Sequence, residues 1–420
     1  MNYKKISRKE YDIHIIKNKD FHTIDFRIFL TENMTKEKIT YRNFLVDILT
    51  YATENYDTKE KLVKKCQDLY SLRPAASVIR NGNLLVTKFS MSIIDSKYVE
   101  KETLEENILL LKEILLNPLL VNGVFARKYF NIVKKDLELE IKTIEEEPRL
   151  YANIHLLEIL DHHSNKLLSG YTDSEILRKM SEKSLYDSYL EMLKNSKIDI
   201  FISGDIKDEE KIIKLITDNF VFRNKKENLS RAYLVHDTRR DNPIVIKESK
   251  NFLQSKLSMG FKFFSLTDYE NRYVSFVFNN LFGGGANSLL LKIVREKNAL
   301  CYYIGSFINR LDNVLILNSG INKENYDKVI VLIKQVLNTI QNGEFSTKDL
   351  ERAKMEVLFE LSNVYESNRN IIDYYYGRHL FHSDDIKTRI LMIKKVSKDD
   401  IIAFSKKINL DGIFFLKGDL

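Results

Sequence analysis

Apolar residues recur along the chain at two spacings, one typical of helices and one typical of strands. In the segments 102–118 and 324–340, apolar side chains return every third or fourth residue, which predicts amphipathic helices. Strands are predicted by alternating or continuous apolar runs: FHTIDFRIFL (21–30), LLVTKFSMSII (84–94), SKLSMGFKFF (255–264) and VLILNSGI (314–321). Each half has strands followed by a pair of helices, which predicts an α+β fold with mainly antiparallel sheets packed with helices.

The order of these elements repeats once within the chain. Four blocks match in length and phase: 102–118 with 324–340, 125–141 with 345–361, 181–193 with 397–408, and 197–206 with 409–420. In the third pair Ser181 and Ser397 are the predicted N-caps. The chain is therefore predicted to contain two tandem homologous domains, 1–220 and 244–420, with a linker at 221–243 that loses periodicity and gathers charge.

Composition excludes several classes of protein. With 420 residues, 24 Phe and 22 Tyr, the chain can fill two cores, so disorder is not expected. Its two cysteines, Cys66 and Cys301, cannot form a disulfide framework and fit a reducing compartment. The first twenty residues have no apolar core and no small-residue cleavage site, so no secretory signal is expected, and the most apolar segment, 108–121, is too short to span a bilayer. These features predict a cytoplasmic protein. The net charge of +7 is spread along the chain, which is not typical of nucleic-acid binding.

The most specific segment is FGGGANSLLLKIVREKNALCYYIGS at 282–306. It combines a Gly-rich turn, a helix with Arg-Glu-Lys, and Leu-x-Tyr leading into a strand. Together with the tandem halves, it resembles the pitrilysin/insulinase-type zinc peptidases over the whole length of the chain. Arg295 and Tyr302 match the Arg and Tyr of that family with their spacing of seven residues.

The glycines of this segment have a competing explanation as a phosphate-binding loop. No Lys-Ser or Lys-Thr follows Gly283, Gly284 and Gly285 at the spacing of a P-loop, and no dinucleotide fingerprint is present. We therefore predict a tight turn that requires positive φ angles.

Active members of the family carry His-x-x-Glu-His on the first helix of the first half, where two His bind zinc and Glu acts as general base. The corresponding helix is predicted at 40–53, and the resemblance places Asn43 and Asp47 at the His positions and Val46 at the general base. The later Glu ligand falls on Glu140 and is kept. Because Val46 cannot transfer a proton, the resemblance implies a catalytically inactive member that binds no zinc of its own.

One question about metal binding stays open at this point. Asp47 and Glu140 offer two carboxylates, which favour a hard cation such as Mg²⁺ or Ca²⁺, or are solvated or paired with lysine. Nowhere else do His and Glu recur at ligand spacing among the eight histidines, so no metal site and no cofactor is predicted for this chain. His162 and His163, at the end of a predicted helix, fit the negative end of its dipole.

Family members bind substrate as a strand added to a sheet edge of the first half. Here that region is SLRPAASVIRNGN at 71–83, and Ala75 stands where the family has Asn. Pro74 cannot donate a hydrogen bond to a ladder, which weakens this edge as a peptide template.

The resemblance implies a function that depends on a partner. The chain would form half of a clamshell, as the non-catalytic subunit of a bacterial heterodimeric zinc metallopeptidase. An active His-x-x-Glu-His homologue would hold the zinc, and this chain would help to bind and position the peptide substrate. Arg295 and Tyr302 would then contact the substrate in trans, near the partner's zinc.

Three alternatives remain. Arg295 could be a structural arginine paired with Glu296, with Tyr302 in the core. The chain could be a non-enzymatic scaffold derived from the peptidase fold, which has no need of this pair. It could also be a hydrolase with an unusual ligand set, which Val46 argues against.

Overall fold

The computed structural model describes residues 2–160, 170–223, 228–236 and 238–419. The chain folds into two compact units, each made of three segments. Unit 1 comprises Met1–Lys142, Gly170–Arg231 and Val364–Leu380, and unit 2 comprises Thr143–Ser169, Ala232–Asn363 and Phe381–Leu420. His162 and His163 lie outside the described residues.

Unit 1 contains a six-stranded sheet. Its strands are β1 Asn2–Ser7, β2 Tyr11–Lys17, β3 Thr23–Asn33, β4 Ala75–Asn81, β5 Leu84–Ile94 and β8 Lys197–Gly204, and a short hairpin is formed by β6 Leu120–Val121 and β7 Val124–Phe125. The order across the sheet is β1-β2-β8-β3-β5-β4. All neighbours are antiparallel except β2 and β8.

The helices of unit 1 are α1 Lys36–Leu49, α2 Lys59–Asp68, α3 Leu104–Leu116, α4 Arg127–Glu146, α6 Ser174–Lys179, α7 Glu182–Asn195, α8 Glu209–Asn219 and α12 Asn368–Phe381. The helix predicted at 40–53 is therefore α1, which begins four residues earlier. It does so because the Thr35 hydroxyl accepts a hydrogen bond from the Lys38 N–H and caps the first turn. Ser181 caps α7 as predicted, in a capping box with Ser184.

Unit 2 contains a five-stranded sheet and three π-helical segments. Its strands are β9 Ile244–Lys250, β10 Ser255–Phe263, β11 Cys301–Asn309, β12 Val314–Ile321 and β13 Ile408–Gly418. Its helices are α5 Pro148–Leu160, α9 Ser275–Asn279, α10 Tyr326–Gln341, α11 Thr347–Ser362, α13 Ile386–Lys395 and α14 Lys398–Ser405, with π segments Glu270–Val274, Asn280–Gly284 and Leu291–Lys297. The strand order is β11-β12-β10-β13-β9, antiparallel except for β13 and β9. Both sheets confirm the predicted α+β class.

Helix α5 packs on β10 and β13 of unit 2, although it follows α4 of unit 1 in the chain. The contact is close because both strands have glycine beneath the helix. A Cβ atom on Gly260 would come within 2.6 Å of the Leu160 side chain, and one on Gly412 within 2.7 Å of Ile159. The sequence did not predict this assignment of 143–169 to the second unit.

Helix α12 has the converse position, because it packs on the sheet of unit 1 although its sequence lies in the second half. Successive residues of β3 face opposite sides of the sheet. Phe26 and Ile28 face the main core with α1, whereas Phe29 packs with Tyr376 of α12. Arg27 and Thr31, on the same face as Phe29, bond to Asp373 and to Tyr376 of α12, at 2.6 and 2.7 Å. Polar contacts therefore tie α12 to this face.

Among the described residues, no helix is both long and apolar enough to cross a membrane.

Candidate functional site

Helix α1 presents the three positions that the resemblance assigned to zinc chemistry. The half-buried Asn43 donates its amide to Gly170 O at 3.1 Å and to Thr172 Oγ1 at 3.3 Å. Val46 is buried, with 7% of its surface exposed. Asp47 follows Asn43 by four residues on the same face of the helix and is exposed.

The structure brings Asp47 of α1 and Glu140 of α4 together. The pKa of Asp47 is raised to about 6, first because its carboxyl group is partly shielded from water and then because Glu140 and Asp136 carry like charges nearby. In the described part of the chain neither Asp47 nor Glu140 forms an ion pair with lysine. The two carboxylates thus repel each other without a neutralising side chain.

These residues do not fit a catalytic zinc ion. Zinc sites in peptidases use imidazole with a carboxylate, and a general base must accept a proton from the bound water. The α1 positions offer an amide that bonds elsewhere, an alkyl group and one carboxylate. No hydrolytic step can be derived through this group of residues.

Sequence reasoning missed what holds α1 in place. Arg42, beside Asn43, forms a doubly hydrogen-bonded ion pair with Glu32 of β3, with Nε–Oε2 and Nη2–Oε1 distances of 2.6 and 2.8 Å. Its Nη1 also donates to Ser188 Oγ of α7 at 2.6 Å. Both charged side chains are fully buried. These contacts fix α1 against β3 and α7.

Strand β4 is the sheet edge predicted from 71–83. It begins at Ala75, directly after Pro74, and among the described strands it pairs with β5 alone. Within the described part of the chain its second edge therefore has no partner strand, and Pro74 has no N–H to offer there.

The prediction of positive φ angles at the three consecutive glycines is wrong. None of Gly283, Gly284 and Gly285 is among the described residues with positive φ, and Gly285 has φ −84°. Glycine is required there by close contact. A Cβ on Gly283 would lie 2.6 Å from Ser306 Oγ, and one on Gly285 would lie 2.7 Å from Asn280 O. The long-range neighbour that creates the first contact, on β11, could not be read from local sequence.

Arg295 and Tyr302 flank the end of the last π segment. Arg295 is exposed, and Tyr302 is 58% exposed with its hydroxyl donating to Asn322 Oδ1 at 3.0 Å. Between them Ala299 has a positive φ of 51°, and the N–H of Leu300 donates to Val294 O at 3.1 Å. A left-handed alanine is strained, and such strain often marks functional turns.

A second cluster was missed altogether. Asp12, His14, Asp199 and His379 lie together in unit 1, with one possible ligand atom from each within 4.8 Å of the others. The sequence offered no ligand spacing among the histidines, so this grouping in space was not predicted. The four residues come from β2, β8 and α12, which are far apart in the chain. The only local signal was Asp-x-His, a spacing that puts both side chains on one face of a strand.

Comparison with known proteins connects these observations. A family model described as the peptidase M16 inactive domain matches residues 179–357. A curated relative, the "Probable inactive metalloprotease YmfF" of Bacillus subtilis (strain 168), is 25% identical over 409 residues, which cover 96% of this chain and 95% of the relative. The chain is thus similar to inactive homologues of the M16 peptidases.

Solved structures of other proteins have the same fold as this chain. A conserved protein from Enterococcus faecalis V583 has a TM-score of 0.91 at 24% identity, covering 100% of this chain and 99% of that one. A peptidase M16 inactive domain from Pseudomonas fluorescens has a TM-score of 0.80 at 13% identity, covering 100% and 99%. The resemblance to the pitrilysin/insulinase type, which is the M16 type, is thus confirmed.

Proposed function

We propose that this M16 homologue is the non-catalytic subunit of a heterodimeric zinc metallopeptidase. Its partner is an active homologue with His-x-x-Glu-His, which holds the zinc and cleaves the peptide that both subunits bind. The proposal is supported by the loss of donor groups on α1, at Asn43 and Val46, in a fold that is otherwise complete.

The observation that carries the proposal is the exposure of Arg295 and Tyr302 in unit 2. Among the described residues Arg295 has no salt bridge, so it is not paired with Glu296. Tyr302 is not in the core. A guanidinium and a phenol are suited to donate hydrogen bonds to a peptide carbonyl and to the oxyanion formed from it. A scaffold or a folded core needs neither group at the surface.

The first half offers a second, weaker contact to peptide. The second edge of β4, which no described strand covers, can pair with an extended segment from Ala75 onward, whereas Pro74 interrupts the ladder at its start. We assign the positioning of the scissile bond to Arg295 and Tyr302, and only auxiliary binding to this edge.

The location that we propose is the bacterial cytoplasm. Both cysteines, Cys66 and Cys301, are free thiols, which fits a reducing compartment. The curated relatives that match most of the chain or a large part of it come from Bacillus subtilis and Rickettsia bellii.

The experiment is co-expression with each His-x-x-Glu-His homologue of the same genome. Light scattering should show a species near twice the 49.4 kDa of this chain. The interface of such a complex should bury at least about 1,000 Å². In the purified complex Arg295→Ala or Tyr302→Phe should lower the partner's kcat/KM by about a hundred- to a thousand-fold, the usual effect of losing an oxyanion donor.

Two controls separate this effect from general damage. Tyr98→Phe removes the hydroxyl of a tyrosine of similar exposure, 54%, in unit 1, and Asp47→Ala alters the degenerate zinc helix. Both should leave the rate nearly unchanged. If the Arg295 and Tyr302 variants assemble and the complex cleaves at the wild-type rate, the role in trans is wrong and the scaffold function replaces it.

A further inference from the structure

Two histidines and two aspartates meet on the face of the unit 1 sheet that α12 covers. Asp12 and His14 lie two residues apart on β2, and Asp12 is paired across the sheet with Asp199 of β8. His379 comes from the last turn of α12. In the described part of the chain this is the only group of three or more such side chains placed to hold a metal ion. The face is opposite to the one on which α1 packs.

From this cluster we propose that unit 1 contains a structural site for a divalent transition metal of the zinc class, ligated by His14 and His379 through Nε2 and by Asp199 and Asp12 through carboxylate oxygens. The site is separate from the degenerate peptidase helix and does not depend on the function proposed above.

Three of the six distances between the ligand atoms are close to those around a tetrahedral ion. Metal–ligand bonds of about 2.0–2.2 Å place neighbouring ligand atoms about 3.3–3.6 Å apart in a tetrahedron. His14 Nε2 and His379 Nε2 each lie 3.1 Å from Asp199 Oδ1, and His379 Nε2 lies 3.7 Å from Asp12 Oδ2. The other pairs of ligand atoms lie within 4.8 Å of each other, so these side chains would draw closer around an ion. Imidazole and carboxylate donors favour zinc and its neighbours over calcium or magnesium.

A cationic group already contacts these ligand atoms. The Lys197 ammonium lies 2.8 Å from His379 Nε2 and 3.1 Å from Asp199 Oδ2. Because an ammonium can only donate, His379 Nε2 is the acceptor and directs its lone pair at the positive charge. Apart from this ion pair, the buried Asp199 Oδ2 has no hydrogen-bond partner among the described residues. The side chain of Lys197 is 21% exposed, so it can turn to solvent when a metal ion replaces it.

The surrounding residues prepare the ligands. His14 Nδ1 is 2.8 Å from the Tyr3 hydroxyl, which can either donate or accept. When His14 Nε2 binds a metal, its ring proton moves to Nδ1 and is donated to Tyr3, as is usual for metal-bound histidine. The second aspartate, Asp12, is held by the Lys5 ammonium at 2.9 Å. The two carboxylates supply the charge that balances a divalent ion.

The consequence of such a site is mechanical. The ligands span residues 12 to 379, so an ion would fix the end of α12 to the centre of the sheet. The ion would close a long loop of the chain. Because it binds only when its ligands are assembled in the folded state, its binding free energy would add to the stability of unit 1.

The test uses the full chain, stripped with a chelator and titrated with Co²⁺. We expect one Co²⁺ per chain, with the strong visible absorption of a tetrahedral complex. His379→Asn should abolish this absorption, whereas His382→Asn, which changes the exposed histidine three residues later, should not. Lys197→Met should bind at least ten-fold more tightly because the competing ammonium is gone. Tyr3→Phe should weaken binding by about ten- to a hundred-fold.

A second readout is thermal unfolding with Zn²⁺. At a zinc concentration a hundred times the dissociation constant, the ratio of folded to unfolded chain should rise about a hundred-fold for the wild type and not for His379→Asn. His379 is at the rim of the site, so its variant is expected to fold, and circular dichroism checks this. The proposal is overturned if wild type and Lys197→Met both bind less than one Co²⁺ per chain. It is equally overturned if His382→Asn lowers binding as much as His379→Asn, because surface histidines would then explain it.

Discussion

Replacing Arg42 by methionine should destabilise unit 1 strongly, because it leaves the Glu32 carboxylate buried without its main partner. Glu32 receives two hydrogen bonds from Arg42, and its remaining cation is Lys38, at 3.3 Å. Removing one member of a buried pair costs about 3–5 kcal/mol. Because Lys38 stays, we expect the lower end of that range, about 3 kcal/mol.

The companion variant tests whether the loss comes from the stranded charge. Arg42→Met combined with Glu32→Met removes both charges and fills the same volume with apolar groups. Replacing a buried ion pair in this way is often neutral or stabilising. The double variant should therefore recover most of the stability that Arg42→Met loses.

The stability that the Arg42–Glu32 pair contributes changes with pH in one direction. Burial raises the pKa of Glu32, but the hydrogen bonds and charge of Arg42 outweigh it, so the folded-state pKa lies below the unfolded value of 4.5. The contribution of the pair is thus present above pH 4.5 and is lost as pH falls through the lower folded pKa. Without Arg42 the buried carboxyl is easier to protonate, so the gap between wild type and Arg42→Met should narrow as pH falls.

The assay is urea unfolding with hydrogen exchange of the α1 and β3 amides, which reports on unit 1 separately. A loss below about 1 kcal/mol for Arg42→Met would place the pair in the range of surface ion pairs and refute the reasoning. A double variant no more stable than the single one would do the same.

Three further outcomes are expected. Asn43→His with Asp47→His should bind one more zinc per chain than the parent, using Glu140 as third ligand, and should cleave no peptide because Val46 is unchanged. Mass spectrometry of bound metal checks this, and no added zinc would disprove the alignment of α1. Asp47 should contribute a loss of stability to the wild type as pH rises from about 4 to 6, because the folded state, with the pKa of Asp47 at about 6, binds a proton more tightly than the unfolded state does. Thermal melts of Asp47→Asn should lack this slope, and an unchanged slope would contradict the shift. Ala299→Gly should add about 1 kcal/mol by relieving the left-handed strain, measured by urea unfolding, and a destabilised variant would show that the alanine methyl is needed.

The sequence predicted elements well where burial and pattern agree. The bounds of β5 and β12 match the predicted runs at 84–94 and 314–321 residue for residue, because each run is apolar and ends at a turn or a polar cap. The predicted start of α1 was four residues late because its first turn is polar and is recognised by its cap at Thr35.

The pattern of apolar residues does not show which sheet a helix packs on or which distant residues come together. Helix α12 contains Ile371 and Tyr376, which are buried, but nothing local states which of two sheets they cover. The same limit explains the error at Gly283, whose contact is with a distant strand, and the missed cluster around Asp199. The proximity of Asp47 and Glu140, by contrast, followed from the resemblance, because both positions belong to one ligand set.

The exchange of segments between the units constrains how the chain can be made. Helix α12, which covers one face of the unit 1 sheet, belongs to the late segment 364–380. Residues on that face, such as Arg27 and Phe201, therefore stay exposed to solvent until nearly the whole polypeptide has left the ribosome. Unit 1 therefore cannot complete its folding before the rest of the chain is synthesised, as N-terminal domains usually do. A nascent chain arrested near residue 240 should remain sensitive to protease and dependent on chaperones, and a separately supplied α12 peptide should protect it.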